Sequence, residues 1–238
     1  ECRQCPSCLS RKTNLCTAIR ATQGKGVMPD GTSRFSIGGK RIHHYMGCST
    51  FANHTVLPEI ALAKVRPDAP FDAICYIGCG VTTGIGAVIN TARVEPAATA
   101  VVFGLGGIGL NVVQGGALIA AHPIVAVDVK AAKLEHARAL GATHGVDAAR
   151  EDAAAAIRGL TGRGADYTFV AVGDARAVGQ ALDALAPGGT CVLIGVPETG
   201  ATVPLDVRPV VTAERVIRGC SYGSARTRED LPRLVSLY

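Results

Sequence analysis

The sequence predicts an α/β chain: a doubly wound parallel sheet, preceded by an irregular stretch of short antiparallel β-structure. Three observations carry this. From about Ala97, short apolar runs alternate with helical stretches, and strands buried on both faces of a parallel sheet read as such runs. Glycine is abundant at 29 of 238 residues, aromatic residues are only 4% and tryptophan is absent, which suits tight strand-to-helix turns. Residues 1–70 lack the strand–helix alternation; cysteine, proline, glycine and asparagine punctuate them, and Pro29-Asp30-Gly31 is a turn signal.

In the first stretch, short β-like runs fall at Arg34–Ile37, Ile42–Tyr45, Thr55–Pro58 and Ala61–Val65. The α/β part begins with a buried strand at Ala100–Phe103, a glycine turn and a helix through Ala121. Ile124–Val127 is the next strand, ended by Asp128; a helix over Ala131–Leu140 stops at Gly141. A short strand at Thr143–Val146 and a helix over Arg150–Thr161 follow. Tyr167–Val172 is a strand, Ala175–Ala186 a helix closed by Pro187-Gly188-Gly189, and Thr190–Val196 another strand. Alternation of this kind gives a parallel sheet covered by helices on both faces.

Charge narrows the function classes. The net charge is +5, but the densest basic stretch, Arg226 to Arg233, also carries Glu229 and Asp230, so no clustered nucleic-acid footprint is present. The run from Pro96 to Val127 lacks Asp, Glu, Lys and Arg. Six glycines, Asn111, Gln114 and Pro123 interrupt it, and a soluble strand–turn–helix–strand explains it better than a membrane span. Nine cysteines, an odd number in a glycine-rich α/β pattern, do not form a secreted disulfide framework. Four of them lie in the first sixteen residues, which points to a metal in a reducing, cytoplasmic compartment.

Those four, Cys2, Cys5, Cys8 and Cys16, are spaced C-x2-C-x2-C-x7-C. Two-residue gaps let successive backbone turns bring sulfurs onto one ion, and zinc takes four such ligands tetrahedrally. Four protein ligands leave no place for water, so the site is structural. An iron–sulfur cluster is the alternative, although the bacterial run has a shorter last gap followed by proline.

Gly104-Leu105-Gly106-Gly107-Ile108-Gly109 matches G-x-G-x-x-G, after an apolar strand and at the head of a helix. Asp128 ends the next strand 19 residues after Gly109. This is the dinucleotide fingerprint of a Rossmann sheet. Gly104 permits the turn, Gly106 lets the backbone approach a pyrophosphate, and Gly109 lets helix and strand pack closely. The helix N-terminus offers N–H groups to the phosphates. Asp128 would accept both ribose hydroxyls and repel a 2′-phosphate, favouring NAD over NADP. A structural glycine-rich turn is the plainer alternative.

The chain resembles the zinc-dependent medium-chain alcohol dehydrogenases, and within them the class III branch that oxidises S-(hydroxymethyl)glutathione. The matching stretches are KTNLC at 12–16, TQGKGVMPDGTSRF at 22–35, HHYMG at 43–47, GCGVTTGIGA at 78–87, FGLGGIGL at 103–110 and VD at 127–128. The likeness is looser through Gly195-Val196-Pro197 and 231–235. It implies a partial, mainly-β GroES-like catalytic domain over 1–79, an NAD-binding domain over 80–221 and the start of a return segment over 222–238. It implies a structural zinc on the four N-terminal cysteines and a catalytic zinc with Cys79 as one ligand. Thr83 would lie beside the nicotinamide, and Lys133 would be a second ribose contact. Ile108, Val172, Ile194, Gly195 and Val196 would line the nicotinamide end, and Arg20 would hold a carboxylate of the glutathione adduct.

The family's other two catalytic-zinc ligands lie upstream of the cysteine lobe, so the resemblance implies a chain cut short at both ends and inactive by itself. It also implies a homodimer or homotetramer, through a last strand region near Val203–Val211. A long-chain or aromatic alcohol as substrate, or a nucleotide-binding chain without catalysis, are the alternatives. His43, His44 and His54 are read as structural, and Cys48, Cys75, Cys191 and Cys220 as packing thiols.

Overall fold

The computed structural model describes residues 1–237. Its contacts divide the chain into two units. One comprises Glu1–Phe71 with the segment from Ala225 onward, the other Asp72–Ser224.

The first unit is built of short pieces. Helix α1 (Pro6–Leu9) and helix α2 (Thr17–Gln23) carry the cysteine lobe, and strands β1 (Ser36–Ile37) and β2 (Lys40–Arg41) form an antiparallel hairpin. Gly38 and Gly39, both at positive φ (56° and 75°), make its two-residue turn. His44 is buried; its Nε2 accepts the Arg34 N–H at 3.0 Å and its ring stacks on Phe35 at 4.5 Å. It is a packing residue, as expected. Of the four β-like runs, Arg34–Ile37 supplies β1, while Ile42–Tyr45, Thr55–Pro58 and Ala61–Val65 form no strand. Those last two are exposed over most of their length and flanked by prolines; no strand pairs with them, and a one-turn 3-10 helix, Glu59–Ala61, joins them through local hydrogen bonds from Ala61 N–H to the Pro58 carbonyl and from Leu62 N–H to the Glu59 carbonyl. The unit closes with helix α10 (Thr227–Leu237).

The second unit opens with helix α3 (Phe71–Ile74, begun in the first unit) and a continuous helical segment. That segment is wide at Ile77–Val81, regular through helix α4 (Thr82–Gly86), and wide again at Ala87–Ala92. Then come β3 (Ala100–Phe103), α5 (Gly107–Leu118), β4 (Ile124–Asp128), α6 (Ala131–Ala139), β5 (His144–Asp147) and α7 (Ala153–Thr161). The rest is β6 (Ala165–Val170), α8 (Ala175–Asp183), β7 (Leu185–Leu193), α9 (Val207–Thr212) and β8 (Val216–Gly219). The six strands from β3 onward are all parallel, in the order β5-β4-β3-β6-β7-β8. In order of appearance that is 3-2-1-4-5-6, the doubly wound order of the Rossmann fold.

The apolar runs explain the layering. Every residue of β3 and β4 is buried. Ala100, Val102 and Ala126 pack on one side with Val112, Val113, Leu134 and Phe169. Val101, Phe103, Val125 and Val127 pack on the other with Ile157, Val170 and Leu182. A strand whose alternate residues enter two separate cores cannot be polar at either set of positions. Each large apolar side chain so buried contributes roughly 1.5–3 kcal/mol. Asp152, Asp174 and Asp206 cap α7, α8 and α9 by accepting backbone N–H groups at 2.8, 2.9 and 3.0 Å.

Several expectations are corrected. The Ala175–Ala186 helix ends at Asp183, and β7 begins at Leu185, running through the Pro187-Gly188-Gly189 turn signal with a register shift against β6. Val203–Val211 is not the last strand: 203–206 is irregular, α9 begins at Val207, and the last strand is β8. Proline at 204 and 209 denies that stretch two ladder donors. Among the described residues no helix is long and apolar enough to cross a membrane.

Candidate functional site

Two constellations stand out, one in each unit. In the first, the sulfurs of Cys2, Cys5, Cys8 and Cys16 all lie within 4.8 Å of one another. Cys5 caps α1 and Cys16 precedes α2, so two helix starts aim sulfurs inward. The N–H groups of Gln4 and Cys5 point at the Cys2 sulfur at 3.4 and 3.3 Å. The N–H of Cys8, then that of Thr17, brings the Cys5 thiol down to about 5. Burial pushes Cys8 up to about 11; it opposes the lowering of Cys16, where the Ile19 N–H and the other thiols prevail. A tetrahedral zinc with Zn–S of about 2.3 Å needs sulfurs about 3.8 Å apart. The cluster fits such an ion with small adjustments, and it is the only group of three or more metal-ligating side chains among the described residues.

In the second unit, a crevice of about 410 Å³ opens at the carboxyl ends of β3, β4 and β6. That is the point where the strand order reverses, the expected ligand position in an open α/β sheet. Gly104 has φ +88°, and a Cβ on Gly109 would sit 1.8 Å from the Gly104 carbonyl oxygen. A Cβ on Gly106 would meet nothing within 4 Å, so its backbone faces open space at the head of α5. That helix has no side-chain cap and no acidic residue in its first turn, so nothing competes for its free N–H groups.

Asp128, 8% exposed, sits at the floor. Its Oδ2 accepts the Leu105 N–H at 2.8 Å and its Oδ1 the Lys130 N–H at 3.0 Å. Lys133 Nζ stands 3.5 Å from Oδ2. A carboxylate has about four acceptor positions, so capacity remains for hydroxyls of a ligand. Val172 is wedged between glycines: a Cβ on Gly104 would come within 2.9 Å of its Cβ, and one on Gly195 within 2.3 Å of its carbonyl carbon. Gly104–Gly109, Asp128, Lys133, Val172 and Gly195 are therefore brought together. Ile194 is buried in the core beside them, while Val196 is 88% exposed beyond the strand. Ile108 lies in the first turn of α5.

Cys79 is exposed in the wide turn Ile77–Val81, and Thr83 is buried in α4. A Cβ on Gly84 would come within 2.6 Å of the Ile108 carbonyl oxygen, so the segment carrying Thr83 lies directly on α5. Arg20 is in the last turn of α2, in the first unit. Among the described residues, no group of three His, Cys, Asp or Glu side chains with metal-ligand spacing includes Cys79.

The sequence reading missed Asp174, Arg176 and Gln180, which also line the crevice. Arg176 is paired with Asp174 at 2.9 Å, and its guanidinium holds that carboxyl below its ordinary value. It missed Tyr222 too, whose hydroxyl donates to the Gly78 carbonyl at 2.6 Å beside Cys79. Burial, and then the charge of Cys79, raises that hydroxyl above its usual value and keeps it protonated. No spacing signal in the sequence connects residues so far apart.

A family model described as zinc-binding dehydrogenase matches residues 107–238. An alcohol dehydrogenase class-3 of Cereibacter sphaeroides is 58% identical over 248 aligned residues, taking in 100% of this chain and 66% of the relative. An S-(hydroxymethyl)glutathione dehydrogenase of Paracoccus denitrificans is 56% identical, with the same shares. An alcohol dehydrogenase zinc-binding domain protein of Burkholderia ambifaria superposes with a TM-score of 0.95 at 32% identity, over 99% of this chain and 64% of that one. A benzyl alcohol dehydrogenase of Acinetobacter calcoaceticus gives 0.90 at 30%, over 100% and 64%. The chain thus spans about two thirds of the length of the proteins it matches.

Proposed function

Because the chain belongs to the zinc-binding dehydrogenase family, we propose that it supplies the nucleotide-binding and structural-metal parts of an NAD-dependent alcohol dehydrogenase acting on S-(hydroxymethyl)glutathione. The observation that carries the nucleotide half is the crevice at the strand-order reversal, lined by both the open Gly106 backbone and the Asp128 carboxylate. The name of the Paracoccus denitrificans relative favours the glutathione adduct over a simple alcohol.

In this reading the start of α5 binds the pyrophosphate through backbone N–H groups, and its dipole favours the charge. Asp128 takes the adenosine ribose hydroxyls, with Lys133 beside it. A 2′-phosphate placed there would meet a buried carboxylate, which selects NAD over NADP. Val172, Gly195 and the Thr83 turn orient the nicotinamide end. When bound, NAD supplies the hydride acceptor. Arg20 would pair with a carboxylate of the glutathione moiety.

The four-cysteine lobe would hold a structural zinc, which has no open position and takes no part in chemistry. A catalytic zinc needs three protein ligands. Of these the described residues offer Cys79, so they do not complete that site by themselves. The 238-residue chain is expected to bind NAD without oxidising alcohol.

The test measures NADH formation by the zinc-loaded, full-length product of the gene, with formaldehyde in the presence and absence of glutathione, and with octanol. Glutathione-dependent turnover is expected. Turnover on octanol alone would replace the substrate and keep the chemistry. NAD binding with no turnover on any of them would leave a nucleotide-binding protein.

A further inference from the structure

The turn that presents Cys79 is poorly held by its own helix. Cys79 lies between Gly78 and Gly80, and a Cβ on either glycine would touch nothing within 4 Å. The Cys79 N–H reaches the Tyr76 carbonyl only at 3.5 Å. A widened helical turn of this kind leaves carbonyl groups that other donors must satisfy. Two hydroxyls do so: Thr82 Oγ1 donates to the Ile77 carbonyl at 2.5 Å and Tyr222 Oη to the Gly78 carbonyl at 2.6 Å. The first is local. The second reaches across 144 residues of sequence.

The segment that delivers Tyr222 is itself strained. Tyr222, Gly223 and Ser224 have φ of +54°, +63° and +49°, three successive residues in the left-handed region. For a bulky residue that is a true outlier, and it persists only where the surroundings impose it. They do impose it. The Gly223 carbonyl accepts the Asn90 amide at 3.2 Å, and Thr91 and Ser224 share a hydroxyl hydrogen bond at 2.7 Å. A Cβ on Gly223 would lie 2.3 Å from the Thr82 carbonyl oxygen, and one on Gly86 would lie 2.4 Å from the Gly223 carbonyl oxygen. The strained turn is thus locked, backbone to backbone, onto the helix that carries Cys79.

We propose that Tyr222 is a positioning residue for Cys79: by fixing the Gly78–Cys79 peptide plane, its hydroxyl sets the direction in which the thiol is presented. Holding the Gly78 oxygen fixes the plane that carries the amide nitrogen and Cα of Cys79, the base from which the side chain projects. The clamp is a geometric device of this chain. Its consequence for catalysis rests on the proposed dehydrogenase reading.

The test is Tyr222→Phe, which keeps the ring and removes only the donor. In the 238-residue chain, amide exchange at Cys79 to Thr82 should accelerate about fivefold to tenfold, the effect of one lost hydrogen bond on local opening. The Cβ resonance of Cys79 in isotope-labelled protein should broaden or shift, while that of Cys75 stays as in the parent. The thermal midpoint should fall by only a few degrees, the size of one lost hydrogen bond, and NAD affinity should not change. Thr91→Ser, which keeps the hydroxyl facing Ser224, serves as a control and should leave the Cys79 signal in place. In the full-length protein, kcat should fall with the KM for NAD unaltered. An unchanged Cys79 resonance together with unchanged exchange would overturn the clamp. A changed resonance in a protein that turns over no alcohol would uphold the clamp and retire the dehydrogenase reading.

Discussion

Leu105 donates its backbone N–H to Asp128 Oδ2 at 2.8 Å, so the glycine turn after β3 and the acidic end of β4 form one hydrogen-bonded unit. The carboxylate proposed to read the ribose therefore also shapes the loop proposed to hold the pyrophosphate.

Asp128→Ser should separate these roles. It removes the charge and keeps a small acceptor. NAD affinity should fall roughly 10- to 100-fold, the range for losing charge-assisted hydrogen bonds. NADP affinity should fall far less or rise. Calorimetric titration of both nucleotides checks this, and equal losses for the two would mean that Asp128 does not select between them.

Two glycines of the same turn should respond in opposite ways. Gly109→Ala places a methyl 1.8 Å from the Gly104 oxygen and should destabilise the second unit by about 3 kcal/mol or more. Gly106→Ala meets nothing within 4 Å, so the fold should hold while the methyl occupies the space proposed for the pyrophosphate. Thermal unfolding and NAD titration, run on both variants, should therefore dissociate.

The cysteine lobe should retain one tightly held zinc per chain. X-ray absorption should show sulfur neighbours at about 2.3 Å. Chelation should free four reactive thiols, and Cys16→Ser should weaken retention. Iron with visible charge-transfer absorption would replace the zinc assignment.

Thiol reactivity should sort by position. Burial raises both Cys191 and Cys220 above the ordinary thiol value, which keeps them protonated and slow to react near neutral pH. Cys75 and Cys79 are exposed. With an alkylating reagent and mass spectrometry, the exposed pair should label fastest in the native protein, half-buried Cys220 more slowly, and buried Cys191 only on unfolding.

At low pH the start of α8 should weaken. Asp174 caps that helix, and its hydrogen bond from Arg176 lowers its value in the folded state. The stabilisation is complete above the ordinary carboxylate value of about 3.9 and fades as pH falls through the lower folded value. In an NMR titration Arg176→Gln should move Asp174 back up; no movement would mean that backbone capping alone sets it.

The sheet was legible in the sequence because its strands are buried on both sides. Val101 and Val102 enter different cores, so both positions must be apolar and the run stands out. The fingerprint and the cysteine spacing were legible because they are local. The helical segment Ile77–Ala92 was not, because Gly78, Gly80, Gly84 and Gly86 depress helix propensity and the last two are there for contacts made far along the chain. Strand β8 was hidden for a related reason: it is a four-residue edge strand with all its residues exposed, so no apolar run marks it. Thr55–Pro58 and Ala61–Val65 misled in the other direction, since β-branched residues favour strands only where a partner strand exists.

The Gly78–Tyr222 link has a consequence for how the protein is made. A ribosome releases the Cys79 segment early and then spends 144 residues building the entire parallel sheet before it delivers the hydroxyl that holds the turn. During that interval an exposed thiol sits on a glycine-flanked turn that nascent-chain folding cannot finish. The turn that carries the cysteine proposed for chemistry is therefore among the last parts of the second unit to acquire its final hydrogen bonding.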